Sequence, residues 1–214
     1  MAEKYAVEHY ENNVDFSPDF VEGEFEIPYI EPEKYEPVEW VSFKEAKGIY
    51  RCKPYGIHFF LSDYQFQNIW TQRERYTHFF RRFGAVMTPD FSLYTDWPVM
   101  VQRWNHYRKH VLGAWMQSIG CKVYPTITWS DERSFDFCFH GEPYKGTVCV
   151  SSVGTQMNAE TRRLFLAGYE RMMEELEPET VLFYGKIPRE CKGNIVHIEP
   201  FQNRLKELGK HDQA

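Results

Sequence analysis

The sequence predicts an α/β protein with a mainly parallel sheet of about five or six strands, preceded by an extended acidic arm. Three observations carry this. Short apolar runs of strand length recur after residue 56 and alternate with helical patterns of ten or more residues, the signature of βαβ units. Polar residues stand at nearly every strand end, with no single Gly-rich turn. That favours an incomplete (β/α)-barrel-like sheet over an open doubly wound one, although the strand count fits both. Residues 1–50, by contrast, show no sustained period.

The 214 residues fit one domain with an appended arm, and the division expected is 1–50 for the arm and 51–214 for the α/β domain. Charge follows the same division. Residues 1–50 hold 13 acidic and 4 basic residues, a net −9, so the body carries +3 of the chain's −6. A body that weakly basic does not by itself argue for nucleic acid. An aromatic share of 17% supplies bulk for a sizeable core. Cys52, Cys121, Cys138, Cys149 and Cys191 are scattered, odd in number and without a C-x-x-C pair, which favours reduced thiols over disulfides or a zinc site. There is no apolar run of the roughly 18 residues a membrane span needs, and the N-terminus is charged rather than signal-like. A cytoplasmic protein is expected.

In the arm, Pro18, Pro28, Pro32 and Pro37 among glutamates push the backbone toward extended or turn structure. Tyr29, Tyr35 and Trp40 give it apolar groups to dock on the body or on a partner. Residues 57–61 form the first strand. Residues 65–83 read as a helix, apolar at Ile69, Tyr76, Phe79, Phe80 and Phe83, with Arg73, Arg75, Arg81 and Arg82 on other faces and Gly84 as its stop. Residues 85–87 are the second strand. Asp96 as N-cap and Pro98 in the first turn open the next helix. Its Trp97, Met100, Trp104, Tyr107, Val111, Trp115 and Ile119 share one stripe, and Gly120 ends it. Residues 121–128 and 147–150 are the third and fourth strands. Asn158 caps a helix carrying Leu164, Gly168, Met172 and Leu176 that stops before Pro178. Residues 180–185 and 194–198 complete the strands, and 201–208 form a closing helix.

Strand ends collect Asp63, Asp90 with Ser92, Thr126 with Thr128 and Trp129, Ser130 with Asp131, Ser151 with Ser152, and Tyr184. In a parallel sheet these converge on one rim. Asp63, Asp90 and Asp131 are candidate acid–base groups, or ligands of a divalent metal that no motif supports; the plainer role for Asp63 and Asp131 is to cap helical turns. Arg108 lies about 40° from Trp104 around the helix, inside the apolar stripe. A guanidinium there must be paired, either with a core carboxylate such as Asp90 or Asp136, or with an anionic ligand held jointly with Asn105. Trp129 offers a stacking face. The turn at Ser151 follows a strand and precedes a helix, but lacks the dinucleotide and P-loop patterns. His106-x-x-x-His110 reads as a solvated pair, Cys138 has no evident base, and no metal site is expected.

The strings W-P-V-M-V-Q-R-W-N-H-Y-R-K-H-V-L-G, K-V-Y-P-T-I-T-W, S-F-D-F-C-F-H-G, T-V-C-V-S-S-V-G and E-P-E-T-V-L-F-Y-G together resemble a family of domains of unknown function met in bacterial, prophage and phage genomes. The resemblance covers about residues 57–187 and leaves the acidic arm outside. It implies an α/β domain, a phage or mobile-element context and no established reaction. Where the family pattern has an acidic residue after F-C-F, this chain has His140.

Three functions fit these residues. The first is binding of a small anionic or nucleotide-like ligand at the rim, with or without hydrolysis, through Asn105, Arg108, Trp129, Ser151 and Tyr184 and the three aspartates. The second is capture of a host protein, as by a phage inhibitor of host defence, through the acidic arm and aromatic surface. The third is nucleic-acid processing through Arg73, Arg75, Arg81 and Arg82. Cofactor and oligomeric state are left open.

Overall fold

The computed structural model describes residues 16–199. All six expected strands are present, and a seventh parallel strand and a two-stranded hairpin lie in what was expected to be the arm. A short antiparallel hairpin comes first, β1 (Val21–Glu22) and β2 (Ile27–Pro28). The parallel strands follow: β3 (Glu39–Ser42), β4 (Tyr55–His58), β5 (Ala85–Met87), β6 (Val123–Tyr124), β7 (Thr147–Ser151), β8 (Thr180–Tyr184) and β9 (Ile195–Ile198). They form a four-stranded sheet β3-β4-β5-β6 and a three-stranded sheet β7-β8-β9, each in sequential order. A single parallel bridge, Thr126 to Cys149, links them. The helices are α1 (Phe43–Ala46), α2 (Asn68–Gln72), α3 (Thr77–Phe80), α4 (Val99–Ser118) and α5 (Ala159–Leu176).

The strands alternate as period-2 residues must. Val41, Ile57, Val86 and Val123 face the first helical layer, where Phe43, Phe80, Leu112 and Trp115 pack on them. Val148, Val150, Val181 and Phe183 face α5 through Phe165, Tyr169 and Met172. Their neighbours Trp40, Ala85, Met87, Tyr124, Cys149, Leu182 and Ile198 point the other way and meet in one interior cluster. That cluster settles the shape. Strands β4 and β8 are four places apart, roughly 19 Å in a flat sheet, yet the Phe60 and Tyr184 rings lie 4.6 Å apart and stack. The strands therefore curl toward each other, and no ladder joins β3 to β9 among the described residues. The barrel is incomplete.

Several local expectations are corrected. The boundary near residue 50 falls inside the first sheet, because Trp40–Ser42 and the Ser42-capped α1 belong to it. The described remainder of the arm, from residue 16, packs on its own body. Ile27 and Ile30 are buried, the Ile30 N–H donates to the Gly141 carbonyl, and the Tyr124 hydroxyl donates to the Lys34 carbonyl. The helix over 65–83 is broken into α2, a 3₁₀ turn and α3. Asp96 is exposed and caps nothing. Helix α4 begins after Pro98, whose ring disfavours helical geometry at Trp97. The third strand is a two-residue ladder plus the Thr126 bridge. In contrast, Asn158 caps α5 as expected, in a reciprocal capping box with Thr161. The closing helix over 201–208 lies outside the described residues. No helix among them is long and apolar enough to cross a membrane.

Candidate functional site

The carboxyl ends of β5, β6 and β7 open into a cleft of about 430 Å³. The polypeptide reaches it through a chain of threonines. The Thr88 hydroxyl accepts from the Thr126 N–H at 2.8 Å, and the Thr126 hydroxyl donates back to the Thr88 carbonyl. This fixes the exits of β5 and β6 side by side, so that Asp90 and Thr128 meet beyond them at 2.6 Å. From β7 come Ser151, Val153, Gly154 and Thr155, and from α5 come Thr161, Leu164 and Phe165. Trp129 forms one wall. Its indole N–H donates to the Leu164 carbonyl, and its ring lies 5.4 Å from Phe165. Helix α5 can approach this ring only because residue 168 is glycine, where a Cβ would sit 2.1 Å from the indole nitrogen.

Of the expected residues, Asp90, Trp129 and Ser151 line this cleft. Asp90 is the only charged group among the described residues that line it. Burial pushes its carboxyl up to about 6; nearby Asp63 pushes the same way, while the Thr128 hydroxyl and Lys109 oppose. A carboxyl titrating there can exchange a proton near neutral pH. Asp63, Asn105 and Arg108 stand behind the cleft in one relay. The Ser92 N–H and hydroxyl both donate to Asp63, the Asn105 amide donates to the Ser92 carbonyl, and Arg108 donates to the Asn105 side-chain oxygen. The Arg108 guanidinium carbon lies over Phe91, 4.0 Å from the ring centre. It pairs with neither Asp90 nor the exposed Asp136, and it does not line the cleft.

The remaining two lie elsewhere. Asp131 caps the 3₁₀ turn Glu132–Ser134 and is held by Arg133, whose hydrogen bonds draw its carboxyl below the ordinary range. Tyr184 is buried in the barrel interior against Phe60 and His58. The arginines expected to touch nucleic acid do not form one face: Arg73 is buried, and Arg82 is turned onto the Ile49 and Tyr50 carbonyls.

A second polar assembly was not foreseen. The face of α4 that points inward carries Gln102, Asn105, His106, Lys109 and His110, all buried, while Met100 is 69% exposed and Trp104 36%. The aromatic stripe is thus the outer side of the first half of the helix, and the pair His106 and His110 is not solvated. Both rings converge on Glu142, itself buried, which bonds the Lys109 ammonium and lies 3.0 Å from His110 Nε2. Lys109 also donates to the Thr126 carbonyl. Burial opposes the charge on Glu142, but Lys109 and His110 outweigh it and hold the carboxyl below the ordinary range. Burial keeps His106 well below its ordinary value, reinforced by repulsion from His110 and Lys109. The signal was present in the sequence: residues 102, 105, 106, 109 and 110 have helical spacing as good as the aromatic stripe's.

The comparisons with known proteins agree on context. Residues 20–202 match the family model described as "Domain of unknown function (DUF4417)", so the match takes in most of the acidic arm. The chain is 37% identical over 169 residues to the "Gene 1 protein" of Mycobacterium phage L5, covering 78% of this chain and 73% of that protein. It is 36% identical over 165 residues to the "Gene 1 protein" of Mycobacterium phage D29, covering 76% of this chain and 61% of that one. No solved structure matches it.

Proposed function

This chain belongs to the DUF4417 family, whose relatives here are phage gene products, and we propose that its rim cleft binds a small hydroxylated ligand of the nucleoside or sugar type. One observation carries the reading. The lining combines hydroxyls from Ser92, Tyr94, Thr95, Thr128, Ser130, Ser151, Thr155 and Thr161 with the Trp129 and Phe165 rings and a single carboxylate, and it contains no Lys or Arg. Such a surface hydrogen-bonds and stacks on a neutral ring, as small-ligand clefts commonly do. The anionic ligand expected from Arg108 has no counter-charge there, because Arg108 is engaged with Asn105 behind the wall. Asp90 accepts from a ligand hydroxyl and is placed to take its proton, which is the step a hydrolytic or transfer reaction would use. Ligand-observed NMR against nucleosides, methyl glycosides and nucleoside monophosphates tests this. Nucleosides or glycosides should bind, and Trp129→Ala and Ser151→Ala should lose binding while remaining folded by circular dichroism. Binding confined to the phosphorylated compounds, or to none, would count against it.

A second reading, capture of a host protein, is favoured by one surface feature. Phe25, Ile27, Met100, Arg103, Trp104, Tyr107 and Phe137 line an apolar groove open to solvent. Trp104→Ala should then abolish retention of a bacterial protein by the immobilised chain, and unchanged retention would sink the idea. Deleting residues 1–50 is not a usable test, because it removes β3 from the sheet.

A further inference from the structure

We propose that His106, His110 and Glu142 form a binding site for a divalent transition-metal ion such as zinc, for which the Lys109 ammonium is a competitor at the Glu142 carboxylate. Backbone carbonyls fix one ring nitrogen of each histidine. A carbonyl oxygen can only accept, so His110 Nδ1, 2.8 Å from the Pro28 carbonyl, must carry a hydrogen. By the same reasoning His106 Nε2, 2.9 Å from the His140 carbonyl, carries one too. In the neutral rings this leaves His106 Nδ1 and His110 Nε2 as bare lone pairs.

Both histidines cluster with the same carboxylate. One ring nitrogen of His106, one of His110 and a Glu142 oxygen lie within 4.8 Å of one another. His106, His110 and Glu142 are 2%, 0% and 3% exposed. His106 Nδ1 and Glu142 Oε2 have no hydrogen-bond partner, and His110 Nε2 sits 3.0 Å from Glu142 Oε1, a contact bridged by a proton in the imidazolium and open to a metal ion in its place. Buried acceptors without donors are costly. A cation placed in the cluster would satisfy both unpartnered atoms and take over the contact of His110 with Glu142.

The chemistry of the donors names the class of cation. Two imidazoles and one carboxylate suit zinc and similar d-block ions rather than magnesium or calcium, which take mostly oxygen. Each histidine already donates its other ring N–H to a backbone carbonyl, the outer contact that fixes tautomer and orientation in metal-binding histidines. Helical spacing of four places the two rings on one face, 4.3 Å apart between centres. Ligand atoms around zinc are roughly 3.3–3.5 Å apart for bonds of about 2.0–2.2 Å, so groups now within 4.8 Å of one another need draw together by at most about 1.5 Å. Gly141 makes room for this: a Cβ there would stand 2.8 Å from His110 Nδ1.

Lys109 is the feature that makes the proposal sharp. Its ammonium already neutralises Glu142, so metal and ammonium compete for one carboxylate. Removing the ammonium should therefore strengthen metal binding. The experiment is a cobalt(II) and zinc(II) titration of the full chain after chelator dialysis, followed by visible absorption and thermal denaturation. Wild type should take up one equivalent, with cobalt bands of a low-symmetry nitrogen–oxygen site. Lys109→Met should bind at least tenfold more tightly and show a larger zinc-induced rise in Tm. His106→Leu should lose the site, and so should the double variant Lys109→Met with Glu142→Gln, which leaves no buried charge behind. If neither wild type nor Lys109→Met binds cobalt more tightly than His106→Leu does, the cluster is an ion pair alone and the proposal is overturned.

Discussion

Asp90 and Glu142 are two carboxylates of one fold with opposite fates. Glu142 lies deep between α4 and the loop after β6, where it contacts the Lys109 ammonium and His110. Its charge is compensated on the spot, and its carboxyl titrates below the ordinary range. Asp90 stands at the cleft with one hydroxyl, Thr128, as its direct partner. Burial there is only partly offset, and its carboxyl rises to about 6. Desolvation acts on both; the local cation decides the sign. A compensated charge holds structure together, whereas an uncompensated one costs stability and is left reactive, which is why shifted carboxyls gather at functional sites.

The largest effect should come from breaking the compensated pair. Glu142→Leu leaves the Lys109 ammonium buried without its carboxylate and should cost about 3–5 kcal/mol in urea denaturation. A loss under about 1 kcal/mol would mean that Lys109 reaches water, and the contrast between the two carboxylates would collapse. The pH dependence has a defined sign on each side. Glu142 titrates lower when folded, so its contribution is present above its ordinary value of 4.5 and is lost as pH falls through the folded value. Asp90 titrates higher when folded, so the folded chain keeps a proton that the unfolded chain releases between 3.8 and about 6. Stability due to Asp90 therefore falls as pH rises through that window.

Asp90→Asn should accordingly stabilise the protein at pH 7 by about 1–3 kcal/mol, with the gain vanishing below about pH 4. Equal stability of variant and parent at both pH values would contradict the assignment. Arg108→Ala removes a guanidinium from the Phe91 ring and a bond to Asn105, and should cost about 1–2 kcal/mol while leaving the fold intact by circular dichroism. The smallest effect is expected at Asp131→Ala. It loses a cap and an exposed pair with Arg133, about 0.5–1 kcal/mol in thermal melts, with ligand binding at the cleft unchanged.

How much of this was legible in the sequence depends on how local the determining contacts are. Strands β4 to β9 are legible because each is a β-branched or aromatic run between breakers. Strand β3 is not, since Trp40–Ser42 follows four prolines and its partner strand begins at Tyr55. Asp90, Trp129 and Ser151 could be grouped because parallel strands deliver their carboxyl ends to one rim. The inward side of α4 could not be read from that helix alone. What makes burial of His106, Lys109 and His110 tolerable is Glu142, more than thirty residues away, and the Pro28 carbonyl, 82 residues away. Without those partners the aromatic stripe is the reasonable inward choice.

The carboxyl carbon of Asp90, followed by NMR from pH 3 to pH 8 in the folded chain, tests the central claim most directly. A titration midpoint near 6, moving toward the ordinary value when Asp63→Asn removes its repulsion, is the result expected. A midpoint near 3.8, unmoved by that substitution, would make Asp90 an ordinary solvated carboxylate and leave the cleft without its reactive group.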